Sequence, residues 1–234
     1  MRPYTVLDCE QGSEAWATSR LGRITSSAAD CVISMADLRG EKGKDNERTR
    51  EGYALRLASE RVTGLVSDES FTSGAMERGS ALEPRALLRY MEAHPDHDVQ
   101  RVGFVAGDDG TWGDSPDAWV YGPLGSPIGV CEFKCPNALT HMEYLDLGDV
   151  VPNDYLRQCV HHLWSAPTLE WCSFATFHPS LPAGFEWHEV RLTRTAAQPL
   201  LDRYDAAVLR LLQRVDALEA RFRAGRVPAA KETT

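Results

Sequence analysis

The 234-residue chain has no apolar run approaching the roughly 18 residues that a membrane-spanning helix needs. Its opening stretch, MRPYTVLDCEQGSEAW, also lacks the apolar core of a secretory signal. A cytoplasmic protein without a membrane partner is expected. The cysteines, at 9, 31, 131, 135, 159 and 172, form no CxxC pair. That argues against a zinc knuckle and a cysteine-ligated iron–sulfur cluster. In a reducing compartment these thiols read as small buried hydrophobes rather than a disulfide framework. No excess of basic charge is present either: 25 Lys and Arg stand against 34 Asp and Glu, a net charge of −9. Such a balance argues against a protein that coats DNA through a uniformly basic surface. It leaves a DNA enzyme open, because carboxylates that hold metal ions lower the formal count while being neutralised in use. Internal repeats and low-complexity blocks are absent as well.

What is present reads as a chain of capped helices and short strands. Helices are expected at about 13–20 and 26–34, the second capped by Thr25 or Ser26. A charged, glycine-punctuated loop is expected at 36–51, carrying Arg39, Lys42, Lys44, Arg48 and Arg50; it reads as a solvated loop, with a phosphate-contacting arm as the alternative. A helix follows from about 47 to 63, stopped by Gly64. The stretch SGAMERGSALEPRALLRYMEA reads as a long helix that Pro84 should kink or restart. Three strand signals come next, VQRVGFVA, TWGDSPDAWVY and IGVCEFKC, read as a meander. Helices at about 138–147 and 154–165, the strands LEWCSFATFH and FEWHEVRLT, and a helix from about 196 to 223 complete the chain. This order argues an α/β (α+β) fold with a mixed sheet. One domain, 1–234, is expected: a helical part at about 1–95, a sheet core at about 96–192, and the C-terminal helix at about 196–223. That last helix carries Leu201, Tyr204, Val208, Leu211, Val215, Leu218 and Phe222 at alternating spacings of three and four, a seam for the domain core or a subunit interface.

The chemistry concentrates in GDSPDAWVYGPLGSPIGVCEFKCP, residues 113–136. Charged groups among apolar strand residues need a partner or a ligand. Side chains alternate along a strand, so Glu132 and Lys134 share a face while Cys131, Phe133 and Cys135 take the other. A hairpin through Gly122–Gly125 can bring Asp117 beside Glu132, and Pro116 disturbs the ladder just before it. Two carboxylates suit Mg²⁺, a hard and partly hydrated ion. A nearby lysine can orient water or stabilise developing charge. Glu83, beside the Pro84 irregularity, can add a third carboxylate. The set suits phosphodiester hydrolysis; the plainer alternative is an exposed Glu132–Lys134 ion pair near an unrelated aspartate.

"PD" followed by "ExK" across a hairpin resembles the PD-(D/E)xK nuclease superfamily. More narrowly, the blocks QGSEAWATSRLGRITSS (11–27), ERGSALEPRA (77–86), SPDAWV with GVCEFKCP (115–136) and YLRQCVHHLW (155–164) resemble the lambda-type phage exonucleases, the YqaJ-like viral recombinase family. The resemblance implies a restriction-endonuclease-like core with flanking helices. It implies Asp117, Glu132, Glu83 and the carbonyl of Phe133 as metal ligands, with Mg²⁺ as cofactor and Mn²⁺ as its substitute, and Lys134 as the residue that positions water. Arg20, Ser27 and Ser115 would hold a 5′-phosphate, Gln158 would sit near the site, and Trp16 would contact DNA or fill the core. Val160 stands where the family can carry a second glutamine, and His161 and His162 read as structural or solvated. The implied activity is 5′-to-3′ digestion of one strand at double-stranded DNA ends, leaving 3′ overhangs for recombination. Implied partners are two further copies in a homotrimeric ring and a phage single-strand annealing protein. Another nuclease on the same core, an endonuclease, and a non-catalytic DNA-binding assembly subunit are the alternatives.

Overall fold

A computed structural model describes residues 2–43, 47–66 and 74–225. In chain order the elements are β1 (Tyr4–Leu7), α1 (Glu14–Ser19), β2 (Ile24–Thr25), a 3₁₀ turn (Ser26–Ala28), α2 (Ala29–Val32), α3 (Met35–Arg39), α4 (Glu47–Thr63) and α5 (Gly74–Ala93). Then come β3 (Asp98–Gln100), β4 (Phe104–Gly107), β5 (Trp112–Asp114), β6 (Ala118–Tyr121), β7 (Pro127–Lys134), α6 (Ala138–Leu147), α7 (Asn153–Ser165), β8 (Trp171–Phe177), β9 (Trp187–Thr193) and α8 (Arg194–Arg223). Local chemistry accounts for several boundaries. Ser13, Ser34, Asn137 and Thr193 each accept a backbone N–H of the following first turn, starting α1, α3, α6 and α8.

The strands form two sheets. One has the order β3-β6-β7-β8-β9, with β7 and β8 parallel and the other pairs antiparallel. The second has the order β1-β4-β5-β2. The expected three-strand meander is therefore corrected. Its first two segments each divide between the sheets: β3 and β6 join the first, β4 and β5 the second. The chain crosses at 101–103 and again at Ser115–Asp117. Pro116 cannot donate to a ladder, which favours the second crossing. At the first, Gly103 lies so close to β1 that a Cβ there would sit 2.5 Å from the carbonyl oxygens of Leu7 and Cys9. The hairpin from β6 to β7 forms as expected. Its turn closes with Gly125 at φ 74°, donating to Gly122.

Both faces of the first sheet are covered. Ala118, Val120, Cys131, Phe133, Ala175 and Phe177 pack with Ala86 and Tyr90 of α5. Trp119, Val130, Cys172 and Phe174 belong to the larger core built with α4, α7 and α8. The C-terminal seam resolves into that core: Leu201, Tyr204, Val208, Leu211, Val215 and Leu218 are all buried within the chain. Two further expectations change. Part of the loop at 36–51 is helical, since Leu38 is fully buried and anchors α3; α4 spans Glu47–Thr63 as expected, which shortens the loop, and Lys44 lies outside the described residues. Helix α5 runs on through Pro84 rather than restarting there.

Candidate active site

The Ser115–Asp117 crossing and the end of β7 meet at an open cleft of about 500 Å³. Glu83, Asp117, Phe133, Lys134, Arg78 and Tyr155 line it, among others. Asp117 is set by two backbone bonds: its N–H donates to Cys131 O at 3.2 Å, and its Oδ2 accepts the N–H of Phe133 at 2.5 Å. Glu83 comes from α5 and accepts from Arg101 at 2.8 Å. Lys134 pairs with Glu132 Oε1 and lies 5.2 Å from the centre of the Tyr155 ring. Glu132 itself is 1% exposed. The alternation along β7 thus holds, but the Glu132 carboxylate is sunk behind the cleft wall, so the exposed-pair alternative is excluded.

Carboxylates crowd here. Burial, then the charges of Glu132 and Glu83, push the Asp117 carboxyl well above the ordinary range, against the pull of Lys134. Burial also raises Glu83, opposed by Arg101. Glu132 goes the other way: burial would raise it, but Lys134 and then His162 outweigh that and hold it low. Hard oxygen donors with surplus negative charge fit Mg²⁺, which needs only one or two protein carboxylates and keeps several waters. Asp117, Glu132, Glu83 and the Phe133 carbonyl would hold it. Among the described residues no three acidic, histidine or cysteine side chains form a ready-made cage. The two carboxylates that flank Asp117 are each engaged by a cation, Lys134 or Arg101.

The sequence reading missed the group behind Glu132. His162 Nε2 donates to Glu132 Oε2 at 2.9 Å, and Nδ1 donates to Asp114 at 2.9 Å to each oxygen. Ser165 donates to Asp114 Oδ2 at 2.8 Å. With a carboxylate at each ring nitrogen, His162 carries both protons. Burial would lower its pKa, yet Asp114 and Glu132 raise it well above the usual histidine value. A signal was available: Tyr155, Gln158, His162 and Ser165 recur at spacings of three and four on α7, one helical stripe. His161 is the structural one. Its Nε2–H donates to Gly113 O at 2.9 Å, and Nδ1 accepts from the Tyr204 hydroxyl at 2.8 Å.

Beside the cleft, the structure gathers the N-terminal residues. Arg20 donates to Ser27 Oγ at 2.7 Å, Thr25 Oγ1 at 3.4 Å and Ser115 Oγ at 3.5 Å. Its guanidinium lies 4.1 Å from the Trp16 ring centre, and the Trp16 indole N–H donates to Ser115 Oγ at 2.8 Å. Trp16 is therefore neither core nor free: it shelves Arg20 and holds the serine. The parallel pair β2–β5 sets this arrangement, since Thr25 lies opposite Gly113, two residues before Ser115. Gln158 lines a smaller adjoining cavity of about 310 Å³ with Ser26 and Ser27, and Tyr155 borders both cavities.

A family model for the YqaJ-like viral recombinase domain matches residues 15–168. The chain belongs to that family. The matched span runs from Trp16 to His162 and beyond, so every residue placed above around the two cavities lies inside the YqaJ-like domain. The fold is similar to that of an alkaline exonuclease (LHK-Exo) from Laribacter hongkongensis. Identity is 26%, coverage 92% of this chain and 100% of that one, and TM-score 0.69. The same exonuclease in complex with dAMP matches with TM-score 0.67 at 26% identity and the same coverage. A phage related exonuclease from Haemophilus somnus 129PT shares the fold at 14% identity and TM-score 0.58, over 86% of this chain and 96% of that one. Among curated proteins no sequence match was found.

Proposed function

We propose that this YqaJ-family protein is a metal-dependent exodeoxyribonuclease that digests one strand of linear duplex DNA from its 5′ end and leaves a 3′ overhang. One observation carries the reading: Ser115 and Asp117 face a guanidinium–hydroxyl cluster and a carboxylate–lysine cleft respectively, two residues apart. A terminal phosphate held by Arg20, Ser27 and Ser115 would place the next phosphodiester toward the cleft. Bidentate guanidinium recognition suits a phosphate dianion. Lys134, held beside Glu132, would orient water or stabilise charge that develops on the phosphoryl oxygens. Asp117, Glu132, Glu83 and the Phe133 carbonyl would hold Mg²⁺ or Mn²⁺, which supplies Lewis-acid polarisation and a more acidic water. Gln158 would border the path between the two cavities.

The alkaline exonuclease match above 25% identity and the family membership support nuclease chemistry on this fold. A single nuclease domain, a homotrimeric ring and an annealing-protein partner belong to the same reading and rest on family resemblance. Among the described residues no helix is long and apolar enough to cross a membrane. A cytoplasmic site of action belongs to the same proposal. The test is digestion of linear duplex labelled at either the 5′ or the 3′ end, with and without Mg²⁺. Metal-dependent release of the 5′ label first, with covalently closed circles left intact, supports the proposal. Cutting of closed circles would replace it with an endonuclease.

A further inference from the structure

The row Asp114, His162, Glu132 joins the two sheets: Asp114 ends β5, Glu132 lies in β7, and His162 reaches both from α7. All three are sealed off, with exposures of 1%, 0% and 1%. Such groups cost free energy to bury unless each donor and acceptor is matched, and an apolar replacement is often as stable. Here the matching is complete. Both ring N–H groups of His162 are used, Asp114 also accepts from Ser165, and Glu132 divides its oxygens between His162 and Lys134. The two partners of Glu132 differ in kind. His162 is immobilised from behind by Asp114, whereas Lys134 ends a long side chain that is 28% exposed and reaches the cleft.

We propose that His162, oriented by Asp114 and Ser165, is a positioning residue that pins Oε2 of Glu132, leaving Oε1 as the oxygen for which Lys134 and a divalent cation compete. This rests on the metal reading above. Carboxylates that ligate metals are commonly oriented by such outer partners, and their loss weakens metal binding or activity by about 10–100-fold. The ion row that spans the interior thereby fixes one carboxylate to a single rotamer at the junction of two sheets.

The experiment is calorimetric titration of the full-length protein, without DNA, with Mg²⁺ and with Mn²⁺, alongside steady-state digestion of duplex ends. His162→Leu is expected to weaken cation binding by about 10–100-fold and to lower kcat with KM for duplex ends unchanged. His162→Gln, which keeps an N–H toward Oε2, should recover most of both. A folded His162→Leu protein with wild-type cation affinity and kcat overturns the proposal. If that variant does not fold, Asp114→Asn decides. About tenfold weaker cation binding in it supports the proposal, and wild-type binding overturns it. Wild-type protein that binds neither cation, or Glu132→Gln that binds them as well as wild type, overturns the metal reading and this inference with it. Normal binding in the His162 variant alone overturns only the inference.

Discussion

Asp117 and Lys134 line the same cleft; on the proposed function they would act through different chemistry, and their substitutions should separate. Asp117→Ala removes a carboxylate that would hold metal, so duplex digestion should be lost while DNA ends are still bound in a gel-shift assay. Lys134→Ala would remove one charge-stabilising donor and should slow single-turnover cleavage by about 10²–10³-fold, while cation binding is kept or tightened because Lys134 no longer competes for Glu132. Near-native cleavage by Asp117→Ala would remove it from the metal set. Arg20 belongs to the adjoining cluster with Ser27 and Ser115. Wild-type protein should digest 5′-phosphorylated duplex faster than 5′-hydroxyl duplex, and Arg20→Ala should lose that preference. Equal rates on both ends for wild type would move the phosphate pocket elsewhere. His161 makes a prediction about stability rather than rate. Burial pushes its pKa down to about 4, so the fold holds it neutral. Below about pH 6.5 the unfolded chain takes up a proton that the folded one refuses until about pH 4. Stability contributed by neutral His161 is therefore present above pH 6.5 and lost as pH falls toward 4, about 3 kcal/mol in all. Urea unfolding at a series of pH values should show this slope, and it should flatten in His161→Gln. An unchanged slope in that variant would assign the acid sensitivity to other groups.

At the scale of elements, the two sheet crossings set the site. Asp114 and Ala118 belong to different sheets, and the three residues between them lie outside both, with Asp117 still tied to β7 through its N–H to Cys131 O. Ser115 can then face Arg20 while Asp117 faces the cleft. The earlier crossing at Gly103 permits this by letting β4 approach β1 closely. A Cβ on residue 103 would meet backbone oxygens, which cannot swing aside as a flexible side chain would. Gly103→Ala should therefore destabilise the protein by about 1–3 kcal/mol, the usual range for an overpacked interior position. Chemical denaturation measures this, and an unchanged midpoint would show that the β1 edge yields freely. Helix α7 is the other organising element. It carries Tyr155 and Gln158 to the two cavities, His162 to Glu132, and His161 to Tyr204 of α8.

For the whole molecule, the −9 charge poses the problem of holding an anionic polymer. The ring proposed above would solve it by gathering local basic patches around a channel, because binding depends on the local field and not the formal sum. Sedimentation equilibrium at micromolar concentration should give a trimer. A monomer with full processive digestion would rule the ring out. The α8 seam is not available as the main contact, since its apolar row is spent inside the chain against α4 and α7. In the proposed ring, subunit contacts would come from other surfaces.

Much of this protein was legible in its sequence because the relevant forces are local. Helix caps act within one turn, and Asn137 and Thr193 start α6 and α8 near the expected positions. Strand alternation separated Glu132 and Lys134 from Cys131 and Phe133, and the glycine turn put Asp117 opposite them. Motif resemblance joined Arg20, Ser27 and Ser115 across ninety-odd positions, and in the fold Arg20 donates to both serines. Tertiary structure alone decided the rest. No periodicity distinguishes one strand from two strands in different sheets, so the splits at 101–103 and 115–117 were hidden. Burial on both faces of β7 depends on α5 and α7 closing over it, which no residue of β7 encodes. The pairing of His162 with Asp114 spans 48 positions and that with Glu132 spans 30. Such contacts exist only once two sheets and a helix are packed together, and the low polarity of that packed interior is what makes each charge there demand its partner.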